Sequence, residues 1–295
     1  MNFEQAMIAH GLMPRQIVAD GKWYRCRTVD KPRKMNGAYL LWLNGQRGFY
    51  KNFATDDDYC EWRSDKPVAI ADQRAMDERI KRLRQQEAAA RSRSINRMRE
   101  HWEKLPILTE WHAYIERKGL SLRGCQGVRL EGDDLVIPMY RGGALVSLQN
   151  ITMDGQKLYR KGCSTRGASF VMARTGSTVT CFVEGFATGL AVFQTVTNAS
   201  VVVCFDAQNL IAVAKDTKVR GMAVVCADND WQTQRDRGIN KGVENGRKAA
   251  ETIGCGLAYP EGIKGTDWAD ALLEWGDRGA AKVRMQIMKG ARLVI

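Results

Sequence analysis

Three apolar runs in the second half of this 295-residue chain each end in a carboxylate. They read Thr180-Cys181-Phe182-Val183-Glu184, Val201-Val202-Val203-Cys204-Phe205-Asp206 and Ala223-Val224-Val225-Cys226-Ala227-Asp228, and Asp230 follows two residues after the last. The three terminal acids recur 22 residues apart. Crowded carboxylates repel one another, so together they make sense chiefly as a divalent-metal site. Asp228 and Asp230 offer hard oxygen ligands, which select Mg²⁺ or Mn²⁺, while Glu184 could serve a second ion or act as a general base. Such sites suit in-line displacement at phosphorus. A single strand-end acid is commonly a helix cap or half of a salt bridge, but three at one interval are harder to dismiss. The chemistry indicated is phosphoryl or nucleotidyl transfer.

The elements that must position these acids follow from the runs themselves. Strands apolar on both faces and separated by helical stretches imply a parallel sheet built from βαβ units, whose ligands bind beyond the carboxyl ends of the strands. Helices are expected near 186–196, 207–215 and 241–253, the last with Asn240 at its start and Gly254 just past its end as caps. No G-x-G-x-x-G follows a strand, Gly185-Phe186-Ala187-Thr188-Gly189 having the wrong spacing. No P-loop motif is present either, so the sequence carries no such ATPase engine. The three histidines, His10, His101 and His112, lie far from the acids in sequence, which argues against a histidine-based centre.

Composition narrows the partner. The net charge of +12, in a chain that also carries an acidic cluster, points to a polyanion and reserves the acids for a metal. Lys157, Arg160, Lys161 and Arg166 concentrate positive charge just upstream of the acid-tipped strands. None of the eight cysteines forms a C-x-x-C pair, so no zinc is expected, and three of them sit inside apolar strands as small hydrophobes. The pattern fits a reducing cytoplasm. No run approaches the roughly 20 apolar residues of a membrane span, and the N-terminus lacks an export signal.

Upstream, residues 1–66 read as a small α+β module, with a short helix from Phe3 to Gly11 and strands at Trp23–Cys26 and Tyr39–Leu43. Its aromatic residues mixed with Lys and Arg either stack bases and hold phosphates or form the core of a small sheet. Residues 67–118 read as a basic helical linker. Between 73 and 104 ten Lys or Arg stand against five acids, with too few apolar residues for a well-buried face. Leu135–Met139 and Ala144–Leu148 flank Arg141-Gly142-Gly143 as a hairpin, and Met153-Asp154-Gly155-Gln156 reads as a second turn.

At these residues the chain resembles the Toprim DNA primases of phages and plasmids, a branch of the bacterial-type primase catalytic core. The resemblance is carried by Val183-Glu184-Gly185-Phe186-Ala187-Thr188-Gly189-Leu190, Phe205-Asp206-Ala207-Gln208-Asn209-Leu210 and Ala227-Asp228-Asn229-Asp230. Later elements, Asn240-Lys241-Gly242 and Lys264-Gly265-Thr266-Asp267-Trp268-Ala269-Asp270, also resemble that family, as do Leu135–Lys161 and His112-Ala113-Tyr114-Ile115-Glu116-Arg117-Lys118-Gly119. The family implies an α/β fold: a Toprim-like parallel sheet flanked by helices (177–262), preceded by a small basic β subdomain (119–176) and the N-terminal α+β module, a candidate template-binding unit. An acidic motif with helices (263–295) would follow. It implies Glu184, Asp228 and Asp230 as catalytic residues, with Asp267 and Asp206 as further metal ligands and Asp270 a lesser candidate. Lys157, Arg160, Lys161, Arg166, Lys241 and Lys264 would meet nucleotides or DNA. The implied activity is Mg²⁺-dependent synthesis of short RNA primers from nucleoside triphosphates on single-stranded DNA, beside a separate replicative helicase in the cytoplasm of a bacterial host. A Toprim nuclease and a non-catalytic single-strand binder are the alternatives. Two features depart from the replicative bacterial primases: Thr188 stands where they usually carry aspartate, and the zinc-ribbon module is missing.

Overall fold

The computed structural model describes residues 1–42, 45–56, 58–65, 70–217, 219 and 221–294; Leu43, the last residue of an expected strand, lies outside them. The chain divides into two compact units, Met1–Ala89 and Ala90–Ile295.

The first unit opens with helix α1 (Phe3–Ala9), started by a capping box in which the Asn2 side chain accepts from the Gln5 N–H and the Gln5 side chain accepts from the Asn2 N–H. Five antiparallel strands follow in simple order: β1 (Leu12–Met13), β2 (Tyr24–Thr28), β3 (Gly37–Leu41), β4 (Arg47–Asn52) and β5 (Cys60–Arg63). Phe3 and Met7 pack on Leu12, Cys26, Tyr39 and Leu41. Some aromatic residues of this module are therefore core, as one of the two sequence readings held, but not all of them. Helix α2 (Ile70–Lys104) leaves this unit and runs into the second. Its last turns are not a solvated linker. Met98 and Trp102, at i and i+4, are buried against Val136, Leu145 and Leu148, with Ile95 and Leu105 packed alongside, and so dock the helix end.

The second unit continues with α3 (Ala113–Arg117) and a four-stranded antiparallel sheet, β6 (Arg129–Glu131), β7 (Asp134–Arg141), β8 (Ala144–Ile151) and β9 (Lys157–Tyr159). Strands β7 and β8 are buried almost throughout because both faces are covered. Val136 and Leu148 meet the end of α2, while Leu135, Ile137 and Ile151 join the large core of the following sheet. The β7–β8 hairpin and the turn before β9 form where expected.

The second sheet holds β10 (Phe170–Met172), β11 (Val179–Val183), β12 (Ala199–Val203), β13 (Gly221–Cys226), β14 (Gly256–Ala258) and β15 (Arg292–Val294). Strands β12, β11, β13 and β14 are parallel neighbours in that order, with β10 and β15 antiparallel at the flanks. Helices α4 (Phe186–Thr195), α8 (Trp268–Glu274) and α9 (Gly279–Gly290) cover one face, burying Cys181, Val183 and Val203. Helices α5 (Ala207–Asp216) and α7 (Lys241–Ile253) cover the other over Phe182, Val202 and Val225. Alternate residues of each strand thus feed two cores, which is why the runs are apolar without a break. Helix α6 (Trp231–Arg237) lies between β13 and α7 in the chain. No described helix is long and apolar enough to cross a membrane.

Candidate metal and nucleotide site

The strand order, not the sequence interval, decides which acids meet. Val183 at the end of β11 pairs with Val203 of β12 and with Cys226 of β13, so Glu184 extends the central strand of the three. Asp206 and Asp228 leave the sheet on opposite sides of it. Asp206 is also committed locally: its carboxylate caps α5 by accepting from the Asn209 N–H at 2.7 Å. Asp206, expected as a metal ligand, thus also serves as a helix cap, as Asp267 does. It remains close enough to raise the pKa of both Glu184 and Tyr159.

Glu184, Asp228 and Asp230 form the acidic centre, with Asp267 beside it. Burial first, then the charges of Glu184 and Asp267, push the Asp228 carboxyl well above the usual range, while Lys157 opposes the shift. The Thr188 hydroxyl donates to Asp228 Oδ1 at 3.4 Å. A neutral donor there spares Asp228 one more negative neighbour. Glu184 is raised too, by burial and then by Asp230 and Asp206, against the pull of Lys157 and the Ala207 N–H. Asp230 is held by the start of α7: its Oδ2 accepts from the Gly242 N–H at 3.0 Å, and its own N–H donates to Asn240 at 3.1 Å. Asn240 caps α7 through Val243 as well, so the cap read from sequence also shapes the acidic loop.

Asp267 caps α8 by accepting from the Asp270 N–H at 2.8 Å. Both acids face Lys118, at 3.7 Å and 2.9 Å respectively. For Asp270 burial works upward, but the Lys118 hydrogen bond and the Thr266 N–H outweigh it and hold the carboxyl below its ordinary value. Lys118 was not singled out in the sequence, although it lies in the segment before Gly119 that carries part of the resemblance. Its only local signal is a cation ending a short helix.

Of the basic residues expected from the sequence, Lys157 is the one set against the acids. Its ammonium comes within 3.2 Å of the position a Cβ on Gly185 would take, and it lines the same cavity of about 290 Å³ as Lys118, Thr188, Asp228 and Asp267. Arg160 instead pairs with Glu131, which also receives His101 and Asn150. Lys161, Arg166, Lys241 and Lys264 are exposed. Tyr159, next but one to Lys157, donates its hydroxyl to the Phe205 carbonyl at 3.0 Å and so ties β9 to the β12–α5 turn. Phe205 is buried at φ 73°, a left-handed conformation costing on the order of 1 kcal/mol, and that bend sends Asp206 into its cap.

Residues 179–278 match the family model of the Toprim domain. This segment is a Toprim domain. The match begins with β11 and runs through α8, so it includes the Asp267–Asp270 motif. Solved structures similar to this chain include the primase fragment of the bacteriophage T7 primase-helicase protein, at TM-score 0.43 and 14% identity over 61% of this chain and 78% of that one. Another is a DnaG primase catalytic domain bound to single-stranded DNA, at TM-score 0.41 and 14% identity over 71% of this chain and 81% of that one.

The donor set of the Toprim acids fits a hard divalent cation: oxygen ligands only, with Glu184 and Asp228 raised by burial and by neighbouring acids, and Lys157 and Lys118 facing the group. Among the described residues the three metal-ligating groups whose ligand atoms lie within 4.8 Å of one another are elsewhere, at His10, Asp56 and Cys60 of the first unit. There Asp56 already accepts from the Asn52 N–H at 2.7 Å and meets His10 Nε2 at 2.8 Å, a carboxylate satisfied by protein hydrogen bonds.

Proposed function

We propose that the chain is a DNA primase that makes short RNA primers on single-stranded DNA by divalent-metal-dependent nucleotidyl transfer. The observation that carries the reading is the opposition, across one cavity, of Asp228 on the Toprim sheet and Lys157 on the β9 strand of the preceding sheet. A hydrolytic site needs the acids; a site for triphosphates also needs a cation facing them from a second element.

Asp228 and Asp230 would hold Mg²⁺, with Glu184 and Asp267 beside them. The bound ion would supply Lewis acidity toward the phosphates. Lys157 would meet the triphosphate of the incoming nucleotide. The 3′-hydroxyl oxygen of the first nucleotide bonds to the α-phosphorus of the second, the bond from that phosphorus to its bridging oxygen breaks, and pyrophosphate leaves. Glu184, whose carboxyl burial and neighbouring acids hold above its ordinary value, would take the hydroxyl proton. Exposed Lys161, Arg166, Lys241 and Lys264 offer further charge for template or triphosphate, whereas Arg160 stays with Glu131. A replicative helicase partner is part of this reading.

The test is incubation with single-stranded DNA, Mg²⁺ and labelled nucleoside triphosphates. New short oligomers are expected, and Asp228→Ala should abolish them while leaving retention of single-stranded DNA largely intact. Priming by that variant would overturn the metal-site assignment. Shortened template would instead indicate a nuclease, and retention without chemistry a binding protein.

A further inference from the structure

The sheet of the first unit has two faces of different kind. Tyr24, Tyr39 and Tyr50 lie in register on the face that closes over Phe3 of α1. Arg25, Ala38 and Lys51 lie in register on the opposite face, with Leu40, Phe49 and Glu61 as the next row. Strand alternation places Trp23, Phe53 and Tyr59 on that second face too, since each is two residues from a member of it. These three rings stay in solvent, at 45%, 38% and 44% exposure. They are not scattered. Trp23 and Tyr59 lie 4.6 Å apart between centroids, the Arg25 guanidinium sits 4.3 Å over Phe53, and the Lys51 ammonium lies 5.7 Å from Phe53 and 5.3 Å from Tyr59.

Such a patch says what it is built to meet. Three grouped rings in water mark a binding surface rather than a surface accident. Cations held against ring faces place positive charge beside flat apolar area, which matches phosphates alternating with bases. A duplex hides its base faces, and a lipid surface would call for a continuous apolar patch instead. We propose that this face binds single-stranded nucleic acid, with Trp23, Tyr59 and Phe53 stacking bases and Arg25 and Lys51 countering phosphates. The inference deepens the primase reading, on which only the identity of the strand as template rests.

The experiment uses the full chain in EDTA without nucleotides, so that neither metal nor chemistry contributes, and follows the anisotropy of a fluorescein-labelled oligo-dT. Trp23→Ala and Tyr59→Ala should each weaken binding by about tenfold, the scale of one lost base stack. Trp23→Phe should retain most of the affinity, and duplex DNA of equal length should compete poorly. Wild-type affinity in both alanine variants, with unchanged circular dichroism, overturns the proposal, as does equal competition by duplex. Priming is assayed separately on the unmodified chain. If it makes no primers while the alanine variants still lose oligo-dT, the primase reading fails and this face stands. If it makes primers and the variants bind like wild type, this face fails and the catalytic reading stands.

Discussion

Asp228 has its charge set by its neighbours. Burial, Glu184, Asp267 and Asp230 all favour its protonated form, and Lys157 opposes them. A carboxyl whose pKa is raised by folding binds a proton that the unfolded chain has released. Metal-free protein should therefore lose stability as pH rises from the ordinary carboxylate range up to the raised value, and level off beyond it. Asp228→Asn removes that part of the loss. At neutral pH without metal the variant should melt higher by about 2–4 °C, the equivalent of about 1 kcal/mol for a unit of this size. Added Mg²⁺ should raise the wild-type midpoint and leave the variant's unmoved. Thermal melts with and without Mg²⁺ check this; a variant that melts lower in EDTA would mean the carboxylate is a structural anchor.

Among the elements, the start of α7 does the most to hold the site. A Cβ on Gly242 would come within 2.4 Å of the Asp228 carbonyl oxygen and 3.0 Å of its carbon. Backbone on both sides leaves nothing flexible to yield. Gly242→Ala should push α7 off the Asp228–Asp230 loop, break the Gly242 N–H to Asp230 hydrogen bond, and cost about 1–3 kcal/mol. Urea unfolding would show the loss, and primer synthesis should fall with it. An alanine variant of wild-type stability would show that the helix and loop can slide apart freely. The helix itself was legible in the sequence. Asn240 and Gly254 bound the same 241–253 segment that folds, because capping is decided by residues in direct sequence contact. The end of α2 was not. Met98 and Trp102 look sparse along the helix, and only the hairpin residues Val136, Leu145 and Leu148 turn them into a core.

Over the whole molecule, the net charge of +12 is divided between two units that the proposals give different tasks. Binding of a strand by the first unit should depend on salt through the phosphates its cations neutralise. Arg25→Gln should reduce the slope of log affinity for oligo-dT against log salt by about 0.7, one phosphate contact on a single strand. Asp228→Ala should leave the slope alone. Equal slopes for wild type and Arg25→Gln, measured by anisotropy titrations at several salt concentrations, would place the charge contribution elsewhere on the chain.

The sequence by itself determined the parallel strands, their terminal acids, the hairpin and the helix ends, all of which follow from residue periodicity and nearby caps. It could not determine lateral strand order. Three acids at one interval look equivalent along the chain, yet the order β12-β11-β13 seats Glu184 centrally and sends Asp206 to the far side from Asp228. Lys118 belongs to the same class, since its partners Asp267 and Asp270 lie some 150 residues on and only packing brings them together. The rings of the first unit are the third case. Alternation tells which residues share a face, but only the placement of α1 decides that Tyr39 is core while Trp23 and Tyr59 are left in water. Local patterns fix elements; the burial of one face against another, which no local pattern contains, fixes which of their side chains are free to do chemistry.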